Sequence, residues 1–412
     1  MTNDKRNVIW NIIGATANAF NSLLFAIIVT RINGVDDAGI FMYSFATACL
    51  LYMIAVYEGR VFQVTDISKK NTDTDYIYHR IITCALMIFI SILFVISKGY
   101  NWYKSSVFVL LCIFKCVEAF SESIYAVIQK NDLLYKVGIS MFIKAIIAFL
   151  VFGIIDYFTK NLILACAGII LINIIVLIVY DFKNMRKLVM TKSKISKEAI
   201  IRLFKTGFFT FVLTFLANYL INAPRYAIDD ILTNDLQTIF GIIIMPATLM
   251  GLLGQYIIQP CLIKITNSIE SKDYIRLKRI ILCLVGIILI LGVVVTIVAY
   301  FLETPVLELI YGVELKPYFT SMLIIVVGSI LYGLSTILSS ILIAMRKTGG
   351  QALLYLATAI IATIMSYITV KANQIQGASI TYFITMLTIV LLFSGYTFYS
   401  MLCYKKQWNI NS

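Results

Sequence analysis

The sequence predicts an all-α polytopic membrane protein, with twelve transmembrane helices in two pseudo-symmetric lobes of six. Hydrophobic residues make up 60% of the chain and charged residues only 13%, a balance too apolar for a water-soluble surface of this size. Apolar runs of about 18 to 25 residues, long enough to cross roughly 30 Å of hydrocarbon as helices, recur along the whole chain. Each half also opens alike: an apolar run reaches an arginine and an acidic pair follows within six residues, Arg31 with Asp36-Asp37 and Arg225 with Asp229-Asp230. A parallel internal repeat marks many transporter folds, which hold their substrate between two similar lobes. A β-barrel would show segments of about 10 residues alternating apolar and polar side chains, and no part of the chain reads that way.

The spans fall at about residues 8-30, 38-58, 80-97, 104-128, 135-155, 160-181, 205-223, 236-259, 280-302, 318-344, 350-370 and 377-402. Lys5 and Arg6 precede the first, and Ala17-Asn18-Ala19 looks like a signal-peptidase site. The apolar stretch runs on to Val29, so a retained helix is expected. Pro224 is expected to close the seventh span, and Pro246 and Pro260 to interrupt or flank the eighth, with Pro246 either a hinge or a plain kink. Gly349-Gly350 reads as a turn. The longest connection separates an amino-terminal lobe, 1-182, from a carboxy-terminal lobe, 205-412, through a basic cytoplasmic linker, 183-204. In that linker Ser196 and Glu198 are placed to cap the helix leading into the seventh span. The longest outer connections are about a dozen residues, too short for the external catalytic domain a membrane enzyme would need, so a non-enzyme is expected.

The net charge of +13 usually suggests nucleic acid, but here topology explains it. With both termini cytoplasmic, 25 basic residues lie on the inner side and seven outside: Arg31, Lys98, Lys104, Lys160, Arg225, Lys316 and Lys371. That is a strong positive-inside bias, and no nucleic-acid partner is expected. The densest cluster, Lys183, Arg186, Lys187, Lys192, Lys194, Lys197, Arg202 and Lys205, suits anionic membrane lipids at about 1 kcal/mol per charge. The eight cysteines scatter through spans or their inner ends and read as packing residues. His79, the only histidine, reads as a solvated residue of an inner connection, so no metal site and no cofactor are expected.

Polar groups inside the spans are the candidate site. Lys115, Glu118 and Glu122 share one face of the fourth span, continued by Tyr125 and Gln129. Lys144 lies in the fifth span at a depth like that of Glu122, which predicts a Glu122–Lys144 ion pair. Each charge at bilayer depth costs at least about 2.5 to 3.5 kcal/mol on insertion scales, so these groups either neutralise one another or line a wet cavity that takes a charged substrate or a coupling ion. Asn18 and Asn21 in the first span, and Asn218 and Asn222 in the seventh, either hydrogen-bond between helices or reach sugar hydroxyls. In Glu58-Gly59-Arg60-Val61-Phe62-Gln63-Val64-Thr65-Asp66, a glycine beside arginine at a helix end leaves a guanidinium free to fork onto phosphate oxygens or to snorkel to the headgroups. Arg31 and Arg225 are expected at the outer ends of their opening helices, facing each other across a cavity mouth. There they would serve as a cation site, or as gates latched to Asp36-Asp37 and Asp229-Asp230.

The Asn11-Ile-Ile-Gly14 helix, the Arg31...Ala38-Gly39-Ile40-Phe41 passage, the Gly59-Arg60...Gln63-Val64-Thr65-Asp66 segment and Asn222-Ala-Pro-Arg-Tyr226 together resemble the bacterial Wzx-type polysaccharide repeat-unit flippases. These belong to the multidrug/oligosaccharidyl-lipid/polysaccharide exporter superfamily. The resemblance spans essentially the whole chain and rests on the order and spacing of the motifs. It implies a V-shaped two-lobed exporter that carries undecaprenyl-diphosphate-linked oligosaccharide from the inner to the outer leaflet of the bacterial cytoplasmic membrane. Its implied partners are the lipid-linked oligosaccharide, a polysaccharide polymerase and a chain-length regulator. Arg31, Arg60 and Arg225 match the family-like passages as cavity cations, while Lys115 and Lys144 join them by charge and depth alone. A cation-coupled drug antiporter of the same superfamily, with Glu118 or Glu122 as ion site, stays open as an alternative, as does a membrane polysaccharide polymerase.

Overall fold

The computed structural model describes residues 3–57, 59–66, 71–191, 194 and 196–410. Glu58 and Lys192 of the passages above lie outside them. Among the described residues there is no strand. In chain order the helices are α1 (Asn3–Ile32), α2 (Val35–Val56), α3 (Gly59–Thr65), α4 (Asp73–Lys98), α5 (Trp102–Lys130), α6 (Leu134–Thr159), α7 (Leu162–Val176) and α8 (Lys183–Met185). They continue as α9 (Lys197–Ile231), α10 (Asn234–Ile243), α11 (Met245–Ile258), α12 (Leu262–Glu270), α13 (Tyr274–Val298), α14 (Thr304–Tyr311), α15 (Phe319–Ala344) and α16 (Thr348–Ile410).

Ten helical stretches are long and apolar enough to cross a membrane. The last of them turns back on itself where Asn373 and Gln374 leave helical geometry, bringing Tyr355 onto Phe393 with ring centroids 4.9 Å apart. A further helix of that length, α5, carries Lys115, Glu118 and Glu122 in its middle. Twelve spans result among the described residues, as the apolar runs require.

The chain divides into two compact units, Met1–Phe215 and Leu216–Ser412. In the first, α1 lies along α6, α2 along α5, and α7 against both α5 and α6. The α1–α6 approach is close because Gly14 and Gly138 meet, and a Cβ on either would overlap backbone of the other helix. The second unit repeats the scheme: α11 packs on α15, α13 on α15, and α15 on the α16 hairpin. Tyr219 and Thr363 (2.6 Å) join α9 to the hairpin.

Several local expectations change. Pro224 does not end the seventh span, since α9 continues through it to Ile231. Pro246 and Pro260 do segment the eighth: α10 gives way to α11 at Ile244, with Pro246 in the first turn of α11, and a 3-10 turn at Gln259–Cys261 precedes α12. Gly349 and Gly350 are not a turn but the start of α16, and Gly350 leaves space for the Tyr396 hydroxyl. The reversal lies just before, at Arg346 with φ 58°. Ser196 caps α9 as read from the sequence, its Oγ accepting from the Ala199 N–H at 3.3 Å. His79 is buried rather than solvated, because α4 begins six residues before it at Asp73. Its ring packs against Phe204 (4.5 Å) and Tyr57 (5.5 Å), and Tyr57 stacks on Phe211 at 4.8 Å. This aromatic cluster docks the start of α9 on the end of α2.

Candidate functional site

The polar stripe on α5 faces the interior of the first unit. Glu118, Ser121, Glu122 and Tyr125 line one cavity with Asn18 of α1, Tyr52 of α2, and Met141 and Lys144 of α6. The cavity measures about 30 Å³, room for one or two waters and far too little for a sugar. Periodicity alone places the stripe: positions three and four apart stack on one side of a helix, and α2 and α6 flank that side.

The predicted Glu122–Lys144 ion pair is not formed, although both residues line the same cavity as their equal depth required. Lys144 Nζ instead lies 2.7 Å from Asp181 Oδ2 and also donates to Ser121 Oγ at 2.7 Å and to Tyr125 Oη at 3.1 Å. Ser140 Oγ donates to the other Asp181 oxygen at 2.5 Å, so the Tyr125 hydroxyl, 2.9 Å from Ser140, donates to it. A closed ring therefore runs Lys144, Tyr125, Ser140, Asp181. All three ammonium donors are used, as a buried lysine requires. Asp181 was not among the sequence candidates because it stands at the very end of the sixth span. A π-helical segment, Leu177–Phe182, extends α7 there, and Asp181 is fully buried. The signal in the sequence was an aspartate ahead of a basic linker, which reads equally well as a solvated end.

Glu122 pairs with Arg60 (2.8 Å), whose other nitrogens lie 3.1 Å from Gln129 Oε1. Arg60 does not snorkel; it stands in the first turn of a short helix, α3. The preceding helix breaks at Tyr57 with φ 43°, where Arg80 and Thr83 donate to the Ala55 carbonyl. Gly59 then opens α3, and a Cβ there would meet Arg80 Nη2 at 2.8 Å. The break turns Arg60 inward over the Tyr125 ring, 5.8 Å from its centroid. Lys115 closes onto Glu118 at 2.7 Å and sits over Phe45 (4.7 Å) and Phe114 (5.2 Å), an aromatic cage that favours a desolvated cation. Beside this group, Asp73 ties together Lys130 (2.9 Å), Gln63 (3.0 Å) and Thr191 (2.8 Å).

The two copies of the arginine and acidic pair are not equivalent. Counted from the ends of the helices, Arg31 in the last turn of α1 corresponds to Asp230 near the end of α9. Asp36 in the first turn of α2 likewise corresponds to Asp235 in the first turn of α10. Arg31 is exposed, whereas Arg225 is buried inside α9 with its guanidinium 5.8 Å from the Phe240 ring. Asp229 also lies in α9, and Tyr367 donates to Asp230 at 2.5 Å. Asp36 and Asp37 sit where the dipole at a helix start favours carboxylates, and Tyr103 hydrogen-bonds Asp37. Of the asparagines, Asn18 reaches the cavity and Asn21 is buried. Asn222 donates to the Asn218 carbonyl one turn back, at 3.0 Å.

Two units built on one helix-packing scheme, one of them holding ionised groups at membrane depth, match solved transporters over nearly their whole length. The chain superposes on a multidrug resistance MATE family transporter of the MOP superfamily in an inward-facing conformation with TM-score 0.73 at 12% identity, covering 96% of this chain and 99% of that one. The chain has the fold of that transporter. It also superposes on the eukaryotic MATE transporter AtDTX14 with TM-score 0.62 at 12% identity, over 98% and 99% of the two chains. In sequence it is 25% identical over 396 residues to the capsular polysaccharide biosynthesis protein CapF of Staphylococcus aureus, covering 93% of this chain and 96% of that protein. No family model matches the chain. The superfamily resemblance read from the sequence is thus borne out, as is the all-helical, multi-pass membrane fold.

Proposed function

We propose that this chain is a flippase that moves a polyprenyl-diphosphate-linked oligosaccharide from the inner to the outer leaflet of the cytoplasmic membrane for surface polysaccharide synthesis, with both termini cytoplasmic. The observation that carries the reading is Arg60, turned inward by the break at Tyr57 and held at 2.8 Å by Glu122. It is a cation at membrane depth whose present counter-charge an incoming diphosphate can replace. Similarity to a capsule-synthesis protein along 93% of the chain supports the cargo class. In this reading Arg31 and Arg225 add anion contacts along the path, and Asn18, Asn21, Asn218 and Asn222 offer amides to sugar hydroxyls. Lys115 and Lys144 set the local charge from within their closed pairs. Asp36, Asp37, Asp229 and Asp230 serve the gates.

Moving two negative charges toward a positive outer face gains about 4.6 kcal/mol per 100 mV, so export is assisted by membrane potential. The test is flipping of a lipid-linked oligosaccharide in proteoliposomes. Arg60→Gln should slow it at least tenfold while the variant remains folded, and an imposed potential should speed the wild type. Flipping indifferent to Arg60, or to both potential and ion gradients, overturns the reading.

One observation favours a second reading, a cation-coupled drug antiporter: Glu118 and Glu122 share a cavity sized for an ion and a water. Drug resistance on overexpression, without accumulation of inward-facing lipid-linked sugar on deletion, would select it.

A further inference from the structure

The outward face of the π-helical segment has a chemistry that the polar cavity does not use. A π turn holds one more residue than an α turn, and here it sends Asp181 inward while Ile178 and Val179 stay 58% and 62% exposed. Directly beyond them come Phe182, Lys183, Arg186 and Lys187, and these six residues line one open groove. Val179, Lys183 and Arg186 rise along one stripe, Ile178, Phe182 and Arg186 along the next. The groove is therefore apolar along the membrane-spanning segment and cationic where the span ends.

We propose that this groove is a docking site for a single anionic glycerophospholipid, its phosphate held by Lys183, Arg186 and Lys187 and one acyl chain lying on Ile178, Val179 and Phe182. The two chemistries meet in the order a lipid presents them, and a soluble anion or a nucleic acid would leave the apolar wall uncovered. The lipid-linked cargo is the less suitable occupant, because Asp181 of the same segment turns inward onto Lys144 of the polar cavity while the groove residues Ile178 and Val179 face outward. A second groove that also combines apolar and cationic residues, Ile275, Lys278, Arg279, Leu282 and Cys283 at the start of α13, provides an internal comparison.

The test is native mass spectrometry and thermal unfolding of the purified full chain, titrated with phosphatidylglycerol or phosphatidylcholine. Wild type should retain phosphatidylglycerol in preference to phosphatidylcholine. Replacing Lys183, Arg186 and Lys187 together by Gln should weaken that binding on the order of a hundredfold, at about fivefold per charge. Val179→Ser should weaken it while all charges remain, and glycerol phosphate without acyl chains should neither compete nor protect. Lys278→Gln with Arg279→Gln should leave the affinity of the first groove unchanged. The proposal fails if wild type shows no preference between the two lipids, a comparison that stands even where the triple variant does not fold. It also fails if the triple variant binds as well as wild type, or if glycerol phosphate or lipid-linked oligosaccharide displaces phosphatidylglycerol at equal concentration.

Discussion

The first and second units share a helix-packing scheme but fill it with different chemistry. In the first, Lys144, Asp181, Arg80, Asp73 and Asp156 are buried, and each is engaged: Lys144 with Asp181, Asp73 with Lys130, Asp156 with Asn33, Arg80 with the Ala55 carbonyl. In the second, the charged groups buried among the described residues are Arg225 and the carboxyl of Glu303, both of whose oxygens are shielded from solvent. Its interior is built from hydroxyls bonded to their own helices, such as Ser329 to Ile325 (2.7 Å) and Ser366 to Ala362 (2.7 Å). Its apolar cluster runs from Ile258 through Ile288 and Ile337 to Met401. A duplicated scaffold thus sets where helices lie without setting what they carry. The Lys144–Asp181 ion pair and the hydrogen bonds of Lys144 to Ser121 and Tyr125 bind α6, the end of α7 and α5 to one another, while α13 and α15 are joined by apolar packing, with the Gln351–Ser339 hydrogen bond adding a polar tie between α15 and α16.

The largest test of that contrast is Lys144→Met. It strands Asp181 in a buried site, and losing one member of such a pair costs about 3–5 kcal/mol, read as a fall in thermal stability of the purified protein. Lys144→Met with Asp181→Leu should recover most of it, since an apolar pair of similar volume is often as stable. Failure of that rescue would show that the ring through Ser140 and Tyr125 matters beyond its charge.

Next in size are two glycines. Gly138→Ala places a methyl against the Trp10 backbone and should destabilise by about 1–3 kcal/mol. Gly286→Ala on α13 meets nothing within 4 Å and should stabilise by up to about 1 kcal/mol through helix propensity. Equal effects at the two would contradict the closer α1–α6 packing. The smallest expected effect is Arg31→Gln. Exposed at the end of α1, it should alter stability by no more than about 0.5 kcal/mol, so a larger shift in melting temperature would show that the first copy of the motif is structural after all.

The α5 stripe was fully legible, because Lys115, Glu118, Glu122, Tyr125 and Gln129 obey a period that a helix must have. The depth match of Glu122 and Lys144 was legible too, and both residues do line one cavity. Their pairing was not legible. Which carboxylate Lys144 meets depends on how α5, α6 and α7 rotate against each other, and the π segment that carries Asp181 inward leaves no periodic trace. Arg60 was found as a candidate, but its inward turn depends on a left-handed residue at Tyr57, a position where nothing in the sequence calls for a break. His79 was misread because the rings that cover it come from Tyr57 at the end of α2 and from Phe204, more than a hundred residues away.

The sequence by itself determined a multi-pass helical membrane protein with charged groups on one face of α5, because bilayer thickness fixes helix length and a 3.6-residue period fixes faces. It also suggested a repeat in the arginine and acidic pair that the helices do not share, since Arg31 corresponds to Asp230. Only the tertiary structure decided which charges neutralise one another and which line the cavity, because ion pairing acts over about 3 Å while sequence order constrains position only to within a helical turn.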